Sequence, residues 1–431
     1  MIPSPSQGSV HDVEHVLFFT LVQIAIIIVT ARLAGYLARR IGQPRAVGEI
    51  VAGLLLGPSL FGMLAPETFH LVFQSTDAMP ISIMSQIGLI MLMFQIGLQS
   101  DFSHLRAREN RYAVSLVSVV GILAPFGLGF GFGQLSAPSL APGIPTLYYS
   151  LFMATAFSIT AVPVLGRIMM EYDLTRTRIG AIAISAAAVN DGAGWTLLAV
   201  SSAAVSAHFS LNGMLTQVAW LLFYVIVCWY VVREVLQFIV RRFDFSAQSL
   251  PQDLMAIILV IVFTSAMLTS KLGIFAIFGG FMMGVLLHDQ HELVEAWKNK
   301  VADLVTVFFL PIFFTYTGLR TDISGLDTLE LWLWCGLSIG LAFLGKFGGC
   351  YVAARLAGLK KPEASNIAMM MNTRGLMELI VLNLGLDLGV IPPEAFTMLV
   401  LMALASTMVT APGLRVWLPR IQHPIPARLD A

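Results

Sequence analysis

Hydrophobic residues in this chain run in long unbroken blocks, separated by short polar or basic stretches. A helix crossing a bilayer needs ~20 mostly apolar residues to span a hydrocarbon core about 30 Å thick. About thirteen blocks approach that length, near 15–38, 46–63, 81–99, 112–134, 146–170, 179–204, 213–240, 252–270, 273–288, 301–319, 330–356, 363–388 and 394–418. The pattern predicts an all-α polytopic membrane protein. The block at 46–63 is short and glycine-rich, and its Gly53 and Gly57 stand at the GxxxG spacing that lets helices approach closely.

Three blocks carry polar residues where lipid would be. The stretch 179–200 reads IGAIAISAAAVNDGAGWTLLAV, with Asn190 and Asp191 near its middle. A carboxylate at that depth costs about 2.5 kcal/mol or more, and in transport proteins it usually binds a proton or a cation. The plainer alternative is an Asp that only ties two helices together. The block at 146–170 contains TAFSITAVPVLG, with Ser158, Thr160 and Pro163. The block at 363–388 contains MMMNTRGLMELIVL, with Asn372, Thr373, Arg374, Gly375 and Glu378. Proline inside a helix removes a donor and crowds the carbonyl one turn back, so this block reads as a broken helix, the plainer alternative for Pro163 alone being a simple kink. Unwound backbone at membrane depth is tolerated only where it lines a cavity or is buried in protein. Interruptions in corresponding spans of two halves point to a transport site.

Composition agrees: 57% of the 431 residues are hydrophobic and 12% charged, against about 25% charged in soluble domains. The 25 basic residues equal the 25 acidic ones, which gives no pointer to nucleic acid. Cys228, Cys335 and Cys350 stand singly in apolar runs, as packing residues would. The N-terminal stretch lacks the basic region of a cleavable signal, so the first span is expected to be retained. Basic residues gather after alternate spans: Arg39, Arg40 and Arg45; Arg106, Arg108 and Arg111; Arg176 and Arg178; Arg241 and Arg242; Lys298 and Lys300; Arg355, Lys360 and Lys361; then Arg415, Arg420 and Arg428. The intervening loops hold Lys271 and Arg320. The positive-inside rule then places the N-terminus outside and the C-terminus in the cytoplasm.

An internal repeat is visible. MLMFQIGLQSDF (91–102) aligns with PIFFTYTGLRTDI (311–323), matching Gly97 to Gly318 and Asp101 to Asp322, while Gly53 and Gly57 resemble Gly280 and Gly284. The two copies fall on opposite sides of the membrane. That predicts inverted repeats over 1–206 and 246–420, joined by a linker helix in 207–245 and followed by a short cytoplasmic tail, 421–431.

Four stretches make the reading specific: GQPRAVGEIVAGLLLGPSLFG, AFSITAVPVLGRI, SAAAVNDGAGW and NTRGLMELIVLNLGLDLGVI. With them the chain resembles the monovalent cation/proton antiporter-2 family over essentially residues 15–418, and is most similar to the membrane part of plant cation/H+ exchangers and bacterial Na+(K+)/H+ antiporters. The resemblance implies a fold with two crossed broken helices, a homodimer and no cofactor, with K+ or Na+ and H+ as substrates. It implies that Asp191 alternately binds proton and cation, with Asn190 fixing geometry beside it where many electrogenic members have Asp. Ser158 and Thr160 match the first crossing and would complete an oxygen shell. Lys346, in LGKFGGCY, matches a basic position that neutralises the carboxylate, and Arg374 with Glu378 would balance half-helix ends at the second crossing. Gln95 and Phe94 would face the core as a gate. Proton and cation would then exclude each other at Asp191, giving exchange by alternating access. Asn190 favours an electroneutral cycle, and a proton released by Lys346 would make it charge-moving. A bacterial inner membrane is the expected location.

Rival classes fit less well. An intramembrane metalloprotease lacks its HExxH pair, an aspartyl protease lacks a second intramembrane Asp, and nothing resembles a channel's carbonyl filter. A cation-coupled solute symporter is the nearest alternative, and it would need a larger polar pocket. Gly127, Gly129, Gly131 and Gly133 mimic a phosphate loop but read as helix packing. His288 and His291 are candidates for pH sensing, although surface histidines seldom do this; Arg233 and Glu234 read as lying near an interface or pairing locally.

Overall fold

A computed structural model of the chain describes residues 7–75, 78–99, 111–172, 174, 177–206, 219–220, 222–245, 249–272 and 276–420. Asp101, Arg106, Arg108, Arg176, the start of the seventh block and the tail from 421 lie outside the described residues. The principal helices are α1 (Gln7–Arg40), α2 (Arg45–Leu56), α3 (Met79–Leu98), α4 (Arg111–Leu140), α5 (Thr146–Ser158), α6 (Val162–Glu171), α7 (Arg178–Ser206), α8 (Leu222–Arg241), α9 (Gln252–Lys271), α10 (Ala276–Leu287), α11 (His291–Lys300), α12 (Ala302–Leu319), α13 (Leu329–Leu356), α14 (Lys361–Met371), α15 (Leu376–Asp387) and α16 (Pro393–Trp417).

Among the described residues, eight helices are long and apolar enough to cross a membrane, or nine if α14 and α15, bent by 42° at their break, form one span. The other apolar blocks correspond to the 12-residue α2, the 12-residue α10, the broken pair α5 and α6, and the 29-residue α7. α2, α10 and each arm of the α5–α6 pair are shorter than a full span, whereas α7 is long enough for one.

The chain folds as two compact units, and each draws on both halves of the sequence. The first comprises Met1–Ile41, Gly48–Asp101 and Leu198–Asp327; the second comprises Gly42–Val47, Phe102–Leu197 and Thr328–Ala431. In the first unit, small residues bring helices into backbone contact. A Cβ on Gly53 or Gly57 of α2 would collide with the carbonyls of Phe314 and Gly318 on α12. A Cβ on Gly284 of α10 would collide with the Phe94 carbonyl of α3, and one on Gly97 with that of Phe281. Phe94 is fully buried, its ring 4.7 Å from that of Trp297 on the short amphipathic α11. Arg233 pairs with Asp289, 56 residues further along the chain, which His288 Nε2 also meets at 2.8 Å, so its partner is a distant carboxylate and not a local one.

The second unit is knitted the same way. Gly129 and Gly133 of α4 lie against Met153 and Ser150 of α5, while Gly345 and Gly349 of α13 lie against Pro125 and Ala124 of α4. Gly127 and Gly131 face open space, so only part of that glycine run serves packing. On α7 the buried positions Ile182, Ala183, Ala186, Ala187, Asn190, Asp191, Trp195 and Leu198 recur at the helical period, with Val189, Gly192 and Thr196 exposed between them. The face that carries Asn190 and Asp191 is therefore the packed one.

Candidate functional site

Two helix breaks meet inside the second unit. α5 ends at Ser158; Ile159 is extended (φ −72°, ψ 147°), Thr160 and Ala161 are non-helical, and α6 begins at Val162. Pro163 consequently stands in the first turn of α6, where a missing N–H goes unused in any helix. The break expected in this block is a full interruption, and it lies just upstream of Pro163. α14 ends at Met371, and Gly375 adopts φ 149° and ψ −120°, a conformation open to glycine and strained for other residues, before α15 begins. The breaks bond to each other: Ala161 N donates to Thr373 O at 3.0 Å, and Thr160 Oγ1 to Met371 O at 3.4 Å. α16 holds the second break from behind, with Asn372 Nδ2 donating to Ser406 O at 3.0 Å and Arg374 N to Thr407 Oγ1 at 3.0 Å.

Leaving the helix at residue 159 strips the carbonyls of Ala156, Phe157 and Ser158 of their usual donors, at the partly negative end of α5. Two buried cations take them. Arg374 donates from Nη1 to Ala156 O at 2.8 Å and from Nη2 to Phe157 O at 2.7 Å, and Lys346 Nζ donates to Ser158 O. Arg374 Nη1 also meets Glu378 Oε1 at 3.2 Å, with both side chains fully buried. Glu378 lies in the first turn of α15, where a negative charge complements the helix dipole.

Lys346 sits in a π-helical turn of α13, Leu344–Gly348, and donates a second bond to Gly121 O at 2.8 Å. With its amide turned to match donors with acceptors, Asn190 accepts from Lys346 Nζ at 3.2 Å and donates to Ser118 O at 3.0 Å and Ala186 O at 3.2 Å. Asn190 thus faces the ammonium, and Asp191 beside it does not. Asp191 is 6% exposed, and its Oδ1 has no hydrogen-bond partner among the described residues. Trp195 stands one turn further along α7, on the same buried face. A buried carboxylate oxygen without a donor is costly, and either a proton or a cation would relieve that cost.

The sequence profile described as "Sodium/hydrogen exchanger, transmembrane" matches residues 27–419. The chain belongs to this sodium/hydrogen exchanger family. It is 40% identical over 401 residues to the Na(+)/H(+) antiporter NhaS4 of Synechocystis sp., covering 92% of this chain and 96% of the relative. It is 35% identical over 406 residues to Cation/H(+) antiporter 17 of Arabidopsis thaliana, covering 93% of this chain and 48% of that protein. The solved structure of the sodium proton antiporter MjNhaP1 from Methanocaldococcus jannaschii superposes with a TM-score of 0.66 at 16% identity, over 94% of this chain and 98% of that one. That likeness is one of fold.

Within this exchanger, Asn190, Asp191, Ser158, Thr160, Lys346, Arg374 and Glu378 all belong to the second unit. Hydrogen bonds link the crossing residues to one another and Asn190 to Lys346. Ser158 contributes its carbonyl to Lys346, while its hydroxyl turns back to Thr155 O at 2.9 Å. Gln95 and Phe94 lie in the first unit on α3; Gln95 is buried, with its Oε1 unpartnered among the described residues. Sequence reasoning missed Gly121, Ser118, Ser406 and Thr407, which act mainly through backbone carbonyls and one hydroxyl. Pro125 was the available signal for Gly121, since a proline in an apolar helix leaves the carbonyl four residues earlier without a donor.

Proposed function

We propose that this family member exchanges a monovalent cation, K+ or Na+ or both, for H+ across the membrane, with Asp191 as the site that proton and cation share. The observation that carries this reading is the buried Asp191 with an unfilled oxygen, on the packed face of α7 and in the same unit as two crossed helix breaks. Thr160, Ser158 and Asn190 would supply oxygen ligands or set their positions, and Lys346, Arg374 and Glu378 compensate charge at the crossing. Gln95 and Phe94 would gate access. Family membership favours exchange over solute symport and sets aside an enzymatic role.

The finer architecture is part of the same proposal: thirteen spans, an outside N-terminus, a cytoplasmic C-terminus, repeats over 1–206 and 246–420 around a linker in 207–245, and a homodimer in a bacterial inner membrane. The reciprocal glycine contacts support the repeats. Gly53 and Gly57 pack on the helix of Gly318, while Gly280 and Gly284 pack on the helix of Gly97, the two pairings an internal two-fold would relate. Asn190 in place of a second carboxylate supports an electroneutral cycle; each net charge moved would couple the cycle to voltage by about 2.3 kcal/mol per 100 mV.

The test is proton flux in proteoliposomes on addition of K+ or Na+, in wild type and Asp191→Asn. Cation-dependent flux that disappears in the variant is expected. Undiminished flux in Asp191→Asn overturns the assignment, and a wild type in which neither cation moves protons overturns the exchange reading.

A further inference from the structure

We infer that Pro125 is a positioning residue for Lys346: by withholding a backbone N–H it frees the Gly121 carbonyl as a fixed seat for the ammonium, on the Asn190 side and not on Asp191. This inference rests on the shared-carboxylate reading above. In an α-helix the Gly121 carbonyl would accept from the N–H of residue 125; proline has none, and its ring crowds that carbonyl. Such a group at membrane depth has no water to satisfy it. Lys346 Nζ, 225 residues away in sequence, donates to it at 2.8 Å.

The surroundings are shaped for this contact. A Cβ on Gly121 would come 2.9 Å from Cys350 Sγ and 3.2 Å from the Asn190 side-chain amide, so the missing side chain leaves room for both neighbours. A Cβ on Gly345 would come 2.8 Å from Pro125 Cα, so α13 meets α4 at the proline, one residue before Lys346. The π-turn Leu344–Gly348 places Lys346 at its centre. An ammonium has three donors, and here they meet three acceptors: Gly121 O, Ser158 O and the Asn190 amide oxygen. Two of those acceptors exist because a helical hydrogen bond is missing, one at Pro125 within α4 and one at the end of α5. With all three filled, the ammonium has no donor left for Asp191, and the carboxylate stays open to a transported cation. Removing one acceptor frees a donor, and Lys346 then competes with the cation for Asp191.

The test is exchange kinetics in proteoliposomes for Pro125→Ala and Pro125→Gly, both of which restore the N–H, alone and combined with Lys346→Gln. The cation KM is expected to rise about tenfold, the scale of one hydrogen bond to a charged group, with maximal rate retained. The rise should vanish when Pro125→Ala is compared with wild type in the Lys346→Gln background. Pro138→Ala serves as a control for loss of a proline from the same helix, and its KM should equal wild type. An unchanged KM in both Pro125 variants overturns the inference, as does a rise that persists without Lys346, because a structural effect alone would add independently. Asp191→Asn is run in parallel: flux that survives there overturns the shared-site reading itself, while Asp191-dependent flux with an unchanged Pro125 KM overturns only the positioning role.

Discussion

Replacing Arg374 with Met tests how the helix crossing is held together. The guanidinium makes bonds of 2.8 and 2.7 Å to the carbonyls of Ala156 and Phe157 and one of 3.2 Å to Glu378. Methionine keeps much of the volume and removes all three bonds. Two carbonyls at the end of α5 lose their donors, and the Glu378 carboxylate, fully buried, loses its countercharge. Breaking one side of a buried pair costs about 3–5 kcal/mol, and each stranded carbonyl adds about 1–3 kcal/mol. A total near 5 kcal/mol or more is therefore expected. On a scale of about 2 °C or more per kcal/mol for units of this size, thermal unfolding in detergent, followed by tryptophan fluorescence, should fall by roughly 10 °C. Arg374→Met/Glu378→Met removes the stranded charge as well and should recover part of the loss. A Tm for Arg374→Met within about 2 °C of wild type, or a double variant less stable than the single one, would refute the reasoning.

Gly375→Ala forces a side chain into φ 149° with its Cβ 3.2 Å from Val164 Cγ2; a loss of about 1–3 kcal/mol is expected in the same unfolding assay. Gly284→Leu drives a side chain into the α3 backbone and should abolish a monodisperse peak in size-exclusion chromatography, whereas Gly131→Leu, which meets open space, should elute as wild type. Asn190→Asp places a second carboxylate against Lys346 and should make exchange respond to an imposed membrane potential, read with valinomycin-clamped vesicles.

Much of this was legible from residue order, and the reasons for the rest are physical. Both helix breaks announce themselves because Asn372, Thr373, Arg374 and Gly375 cannot sit against lipid, and because Ser158, Thr160 and Pro163 weaken one helical run together. The location of the first break was less legible. The residue order points to the neighbourhood of Pro163, yet the backbone opens at Ile159–Ala161 and Pro163 stands in the first turn of the helix that follows. The matched glycines Gly97, Gly318, Gly57 and Gly284 could be aligned as repeats, but sequence similarity does not say that each packs on the other half's helix. The seat of Lys346 was invisible because two of its acceptors are backbone carbonyls, whose availability depends on interruptions elsewhere in the fold.

The most direct test of a carboxylate shared by proton and cation is proton release on cation binding. Detergent-solubilised protein in weak buffer would be titrated with K+ or Na+ while a pH dye is followed. The wild type should release a proton as the cation binds, more strongly as cation is added, and Asp191→Asn should release none. Cation binding without proton release in the wild type, or equal release from Asp191→Asn, would contradict the account.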